Sequence, residues 1–174
     1  MTTVEVRREF WHRPEQVWRV IGGFDAFDWA SGVGPILMEV GRPRDQVGAV
    51  RAFRQYGAPT RQLLTAYCAE KCSYGYEVLT PYRGLACYAA TIAVSPRQDG
   101  GSTVTWTANF AEVVPRTARA SASVRATAFA DFHDRPGDPD AVSVSDAVLI
   151  GVLSDEFRKS FDNLEAILDM ALSS

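Results

Sequence analysis

The feature that most constrains this chain lies at its C-terminal end. Leu149, Leu153, Phe157 and Phe161 recur at intervals of four, Leu164 follows after three, and Leu168 and Leu172 return to four. That spacing places all of them on one face of an α-helix over residues 146–172. Asp155, Arg158, Lys159, Asp162, Glu165 and Asp169 fall on the opposite face, with Asp155 and Lys159 four apart in the favourable orientation and Arg158 facing Asp162. Such a helix is roughly 40 Å long, about the width of a small domain. Ser145 or Ser154 is a candidate cap, and Gly151 weakens the first turns by about 1 kcal/mol relative to Ala. A helix with one apolar stripe needs a surface to pack on, and the preceding residues supply a sheet.

Val4, Val6, Arg8 and Phe10 alternate with charged residues, which predicts a half-buried strand with an arginine on its apolar face. Pro14 then opens a helix with Val17, Trp18 and Ile21 as its stripe, and Gly22 and Gly23 stop it. Residues 24–30 are expected to form a second short helix. Strands follow over 36–40, 47–55, 62–67, 73–78, 85–95 and 102–111, separated by turn-forming segments such as GRPRDQ and PRQDGGS. The last alternates most cleanly, with Val104, Trp106, Ala108 and Phe110 on one face and Asn109 on the other. Over 112–145 the period is lost; a connection of that length is expected to be a lid, an extra helix (116–132) or an irregular loop.

The chain of 174 residues with net charge −3 is read as one domain, 1–174, with an irregular insertion at about 112–145. The arginines are spread among acids rather than gathered into a basic stripe, so no nucleic-acid partner is expected. No apolar run is long enough to span a bilayer, and Glu5, Arg7, Arg8 and Glu9 break any signal-peptide core, so the expected location is cytoplasmic. Cys68, Cys72 and Cys87 lack CxxC spacing and, with only His12 and His133 beside them, make no zinc set; they are expected to be reduced and mostly buried. His12, beside Trp11, is expected to face solvent. No phosphate loop, HExxH or GxSxG occurs, and neither metal nor cofactor is expected.

A strand, two short helices, six further antiparallel strands and a long helix make an α+β order in which the sheet must cover the terminal helix. Tyr74, Tyr76, Tyr88, Trp106 and Phe110 on the inward face would hold sheet and helix apart, and the gap would be a ligand cavity. The segments PEQVWRVIGGF with Trp29, VGAVRAF, YGYEV, YAATIAVSP, TVTWTANF and EFRKSFDNLEAILD resemble the SRPBCC superfamily. That superfamily includes START domains, birch-pollen-allergen-like proteins and a polyketide cyclase/dehydrase-like branch. The resemblance implies a helix-grip fold: a seven-stranded curved antiparallel sheet wrapped around the C-terminal helix, with a hydrophobic pocket between. The segment from 112 to about 145 is longer than the connection usual there.

Cyclisation and dehydration of a poly-ketone need a donor or cation for an enolate and a group that moves protons. Arg51 matches a recurrent arginine of that branch and is a candidate for the charge, with a surface arginine as the alternative. Arg54 points the other way, so at most one of the two faces the pocket. Tyr76 is the candidate proton donor. Arg8, Trp29, Tyr74, Tyr88, Trp106, Phe110, Phe157 and Phe161 are the candidate ligand-binding residues, each also readable as ordinary core. His133, between acidic neighbours, is a minor candidate for a lid histidine. The expected partner is a hydrophobic or aromatic small molecule, bound by a monomer or homodimer. The expected function is a polyketide cyclase/dehydratase-like enzyme of natural-product metabolism. The alternatives are a non-catalytic protein that sequesters or transports such a molecule, and a regulatory protein with a vestigial pocket.

Overall fold

The computed structural model describes residues 1–80, 85–112 and 146–172. The elements in chain order are β1 (Thr2–Phe10), α1 (Pro14–Ile21), β2 (Leu37–Met38), β3 (Val50–Gln55), β4 (Ala58–Cys68), β5 (Ser73–Val78), β6 (Leu85–Pro96), β7 (Ser102–Glu112) and α2 (Asp146–Leu172). The seven strands form one antiparallel sheet in the order β1-β7-β6-β5-β4-β3-β2, so the first strand closes against the last and every other pairing is between sequence neighbours. Bulges at Leu64/Ala66 and Leu85/Cys87 interrupt the register and add to the bend of the sheet. This is the helix-grip arrangement expected from the sequence.

The helix ladder behaves as its spacing demands. Leu149, Leu153, Phe157, Phe161, Leu164 and Leu168 are all buried, and the ring of Phe161 meets Phe10 of β1 edge-on at 6.2 Å. The side chain of Leu172 lies outside the described residues. On the opposite face Arg158 pairs with Asp155 at 3.0 Å rather than with Asp162, because Asp162 is taken by Arg8 of β1. Pro14 sits in the first turn of α1, where Gln16 reaches back to accept from the Arg13 N–H at 2.9 Å, and the Gly22 N–H bonds to the Trp18 carbonyl at 2.7 Å.

Three expectations are corrected. Residues 24–30 form two turns, closed by Ala26 N–H to Gly23 O and Ala30 N–H to Phe27 O, rather than a second helix. Phe24, Phe27 and Trp29 all plunge into the core from this short stretch, which a helix with one inward face could not allow. β4 begins at Ala58, earlier than expected, because Tyr56 (φ 49°) and Gly57 (φ 85°) make the two-residue hairpin turn with β3. Pro59 is tolerated inside the strand because β5 pairs with β4 only from Gln62 onward, leaving one side of Pro59 without a ladder neighbour. Cys68 and Cys72 are half-buried and Cys87 is exposed, so the thiols are free but not mostly buried. The expected turn at 81–84, the helix over 116–132, the rest of the insertion and His133 lie outside the described residues.

Candidate functional site

The concave face of the sheet presents Arg51 and Phe53 from β3, Thr60, Gln62 and Leu64 from β4, and Tyr74 and Tyr76 from β5. β6 and β7 add Tyr88, Trp106 and Phe110, and α2 lies across them. Alternation along each strand sets these directions. Arg51 therefore turns inward and is fully buried, while Arg54 is exposed and donates to the Gly57 carbonyl at 2.6 Å. The surface reading of Arg51 is thereby overturned.

Among the described residues, Arg51 is a fully buried arginine. It stands directly opposite Gln62 in the β3–β4 register, and its Nε donates to Gln62 Oε1 at 2.8 Å. Nη1 donates to the Phe24 carbonyl at 2.9 Å. The guanidinium carbon lies 3.7 Å from the centroid of Phe27 and 4.2 Å from that of Phe24. Among the described residues no carboxylate forms an ion pair with it. Burying such a charge costs several kcal/mol, which charge-assisted hydrogen bonds and the faces of two aromatic rings offset. Burial pulls the Arg51 pKa below its ordinary value, while the neighbouring Tyr74 and Tyr76 act in the opposite sense.

The same burial raises the phenols. Tyr74 and Tyr76 are both held above the usual tyrosine value, chiefly by desolvation, with the nearby Arg51 charge opposing the shift. Both are neutral hydrogen-bond donors through the physiological range. Tyr74 Oη, Arg51 Nη2 and Trp106 Nε1 are buried without a well-formed hydrogen bond.

The space between sheet and helix is largely filled by rings. Trp106 of β7 lies flat on Phe157 of α2, with centroids 4.1 Å apart and planes 8° from parallel. Phe27 packs edge-on to Trp29, Tyr76 and Trp106 at 5.4, 6.1 and 5.7 Å. Beside this stack is a pocket with aromatic walls from Phe27, Trp106 and Phe157. Six polar residues converge on it: Gln55, Gln62, Tyr76, Tyr88, Glu156 and Ser160. Its volume, about 10 Å³, suffices for about one water molecule, whereas pockets for small molecules run to about 300–1,000 Å³. A larger guest therefore has to displace the rings.

Of the residues singled out from the sequence, Tyr76, Tyr88, Trp106 and Phe157 line this pocket. Tyr74, Trp29, Phe110 and Phe161 are buried in the core around it, with the Trp29 indole donating to the Ala26 carbonyl at 3.1 Å. Arg51 stands behind Gln62 and does not line the pocket. Arg8 bridges from β1 to Asp162 and Glu165 on α2, away from the pocket. His12 is buried, not solvent-facing, with Nε2 3.4 Å from Asp169 near the end of α2. Sequence reading missed Gln62, Glu156, Ser160 and Phe27. A usable signal existed for two of them: Glu156 and Ser160 interrupt the inward stripe of α2 one helical step from Phe157 and Phe161, where apolar residues would otherwise stand.

Residues 1–169 match the protein family described as "Polyketide cyclase / dehydrase and lipid transport". The chain belongs to this family. Its fold is that of the SRPBCC superfamily, which the sequence segments resemble. No curated protein matches the chain at the sequence level. Among solved structures it is similar to the protein XoxI from Bacillus cereus, with 20% identity, a TM-score of 0.73 and coverage of 100% of this chain and 99% of the other. It is also similar to an uncharacterised protein from Bacillus thuringiensis, at 18% identity and TM-score 0.69, covering 96% and 98% of the two chains. Ara h 8.0201 superposes with a TM-score of 0.63 at 13% identity over 99% of each chain. At these identities the likenesses establish the fold alone. No helix among the described residues is long and apolar enough to cross a membrane.

Proposed function

We propose that this member of the family binds a hydrophobic, oxygen-bearing small molecule, such as a polyketide-like or other aromatic natural product, between α2 and the sheet. The observation that carries this reading is the pocket beside the Trp106–Phe157 stack, where flat aromatic walls meet six converging polar side chains. Gln62 holds Arg51, and Ser160 accepts from the Ser31 N–H at 2.9 Å and donates to the Glu156 carbonyl at 2.7 Å. With Gln55 and Glu156 they bring polar groups against tryptophan and phenylalanine on one pocket wall. A ring system sliding into the stack replaces one aromatic contact by another, so part of the cost of separating Trp106 from Phe157 is returned.

Two forms of this reading differ in chemistry. As a cyclase or dehydratase, the protein would use Tyr76, kept protonated by burial, to donate to a developing alkoxide. As a carrier that sequesters or transports its ligand, it needs only the pocket. The placement of Arg51 behind Gln62 favours the carrier, since no cation among the described pocket residues can touch an enolate. Native mass spectrometry of the protein, before and after incubation with aromatic and poly-ketone compounds, tests both forms. Bound but unchanged compound supports the carrier. A chemically changed product that disappears in Tyr76→Phe supports the enzyme, and failure to bind any of them refutes the proposal.

A further inference from the structure

The polar side chains of the pocket are not interchangeable, because Arg51 fixes the orientation of one of them. Gln62 is buried, and its Oε1 accepts the Arg51 Nε–H at 2.8 Å. An arginine can only donate, so the amide cannot rotate by half a turn without placing N–H against N–H. Its –NH2 end is thereby committed to the other side of the side chain, where Gln62 lines the pocket. Trp106, also on the pocket wall, adds an indole N–H that is buried without a well-formed hydrogen bond. The indole interacts with the Tyr76 hydroxyl but not in good hydrogen-bond geometry. A buried donor so weakly paired is costly, on the order of 1–3 kcal/mol, and gains from a better-placed acceptor. Glu156 lines the same pocket from α2 and is itself buried, 8% exposed. A carboxylate has about four acceptor positions, so it can receive a ligand donor in addition to any protein partner.

We propose that this pocket selects a ligand carrying both a carbonyl and a hydroxyl on an aromatic or partly reduced ring frame. The carbonyl is received by the Gln62 amide and the Trp106 indole, and the hydroxyl is received by Glu156. Arg51 is a positioning residue that acts through Gln62 and touches no ligand atom. This inference rests on the pocket being the ligand site. It accounts for the buried guanidinium by the one bond that a lysine or an apolar residue could not supply in the same geometry.

The test uses four bicyclic probes of matched shape: tetralin, 1-tetralone, 5,6,7,8-tetrahydro-2-naphthol and 6-hydroxy-1-tetralone. Calorimetric titration of the full chain is expected to rank the hydroxy-ketone tightest and tetralin weakest, with each polar group improving affinity about tenfold. Gln62→Glu keeps an acceptor for Arg51 and removes the amide donor, so it should lower the ratio of 1-tetralone to tetralin affinity, with the Trp106 indole retaining the remainder of the carbonyl advantage. Glu156→Leu should abolish the hydroxyl advantage alone, and Glu156→Gln, a neutral acceptor, should retain part of it. Arg51→Lys should lower the ratio of 1-tetralone to tetralin affinity without weakening tetralin; if that variant does not fold, Gln62→Glu carries the test. Equal binding of all four probes, or a ranking that survives these substitutions, overturns the selection while leaving the pocket standing. Failure of every probe to bind the wild-type protein, tetralin included, overturns the pocket reading itself.

Discussion

Replacing Phe157 with alanine removes the ring that closes the space between sheet and helix, and the consequences run in opposite directions for stability and binding. Phe157 is 2% exposed and lies against Trp106 at 4.1 Å. Truncating a buried phenylalanine costs about 3–5 kcal/mol, of which the stacked pair accounts for about 1 kcal/mol. A domain of ordinary stability, about 5–15 kcal/mol, survives that loss in most of its range. The vacated space adjoins the pocket, so a planar guest no longer has to separate Trp106 from Phe157. Phe157→Ala should therefore bind tetralin about tenfold more tightly than the wild type. Ligand at about 100 times Kd should then return about 2.7 kcal/mol of the lost stability. Urea unfolding followed by tryptophan fluorescence, with and without tetralin, measures both quantities. A destabilised variant whose affinity is unchanged or weaker would refute the reasoning, because the stack would then be neither a barrier nor a neighbour of the ligand.

Four further outcomes follow. The folded state keeps the protons of Tyr74 and Tyr76 where the unfolded chain, near its ordinary value of 10.0, releases them. Their contribution is fully present below that value and lost as pH rises through the folded ones, so the urea midpoint should fall on the alkaline side and fall less steeply in Tyr76→Phe. Arg51→Ala empties a fully buried site and leaves Gln62 and the Phe24 carbonyl without their donor, and should cost about 2–5 kcal/mol, whereas Arg54→Ala should stay within about 0.5 kcal/mol in the same unfolding assay. Arg8→Ala should lose no more than about 1 kcal/mol, and less in high salt, since Asp162 and Glu165 are themselves partly exposed. Gly57→Val puts a β-branched residue at φ 85° in the β3–β4 turn and should lower the thermal midpoint by several degrees, while Gly100→Ala, also at positive φ, should be milder.

The parts of the fold that were legible in the sequence are those governed by simple periods. The four-residue ladder of α2 and the alternation of β7 each report one buried face, and both elements formed where the pattern placed them. Residues 24–30 were not legible because their apolar side chains reach the core from two turns, which follow no period. The start of β4 was obscured by Pro59, harmless there only because β5 begins later. His12 was read as exposed from its neighbour Trp11, which is indeed 83% exposed, but the final turns of α2 cover the histidine. At the candidate site, alternation separated Arg51 from Arg54, yet it could not show that Arg51 lies behind the pocket. That depends on the Arg51–Gln62 register, a pairing set by the hairpin turn at Tyr56 and Gly57. Glu156 was overlooked because it follows an acidic surface residue and precedes the ladder position Phe157, and only the packed helix shows which way it turns.

The central claim, that a ligand is received between α2 and the sheet, is tested most directly by nuclear magnetic resonance of the side-chain N–H groups during titration with 6-hydroxy-1-tetralone. The four tryptophans serve as reporters, with Trp106 on the pocket wall and Trp11 exposed and outside the pocket lining. The account predicts saturable shifts of the Trp106 indole and the Gln62 amide, with Trp11 unmoved. Saturable binding that leaves Trp106 and Gln62 in place, or that shifts Trp11 instead, would contradict it.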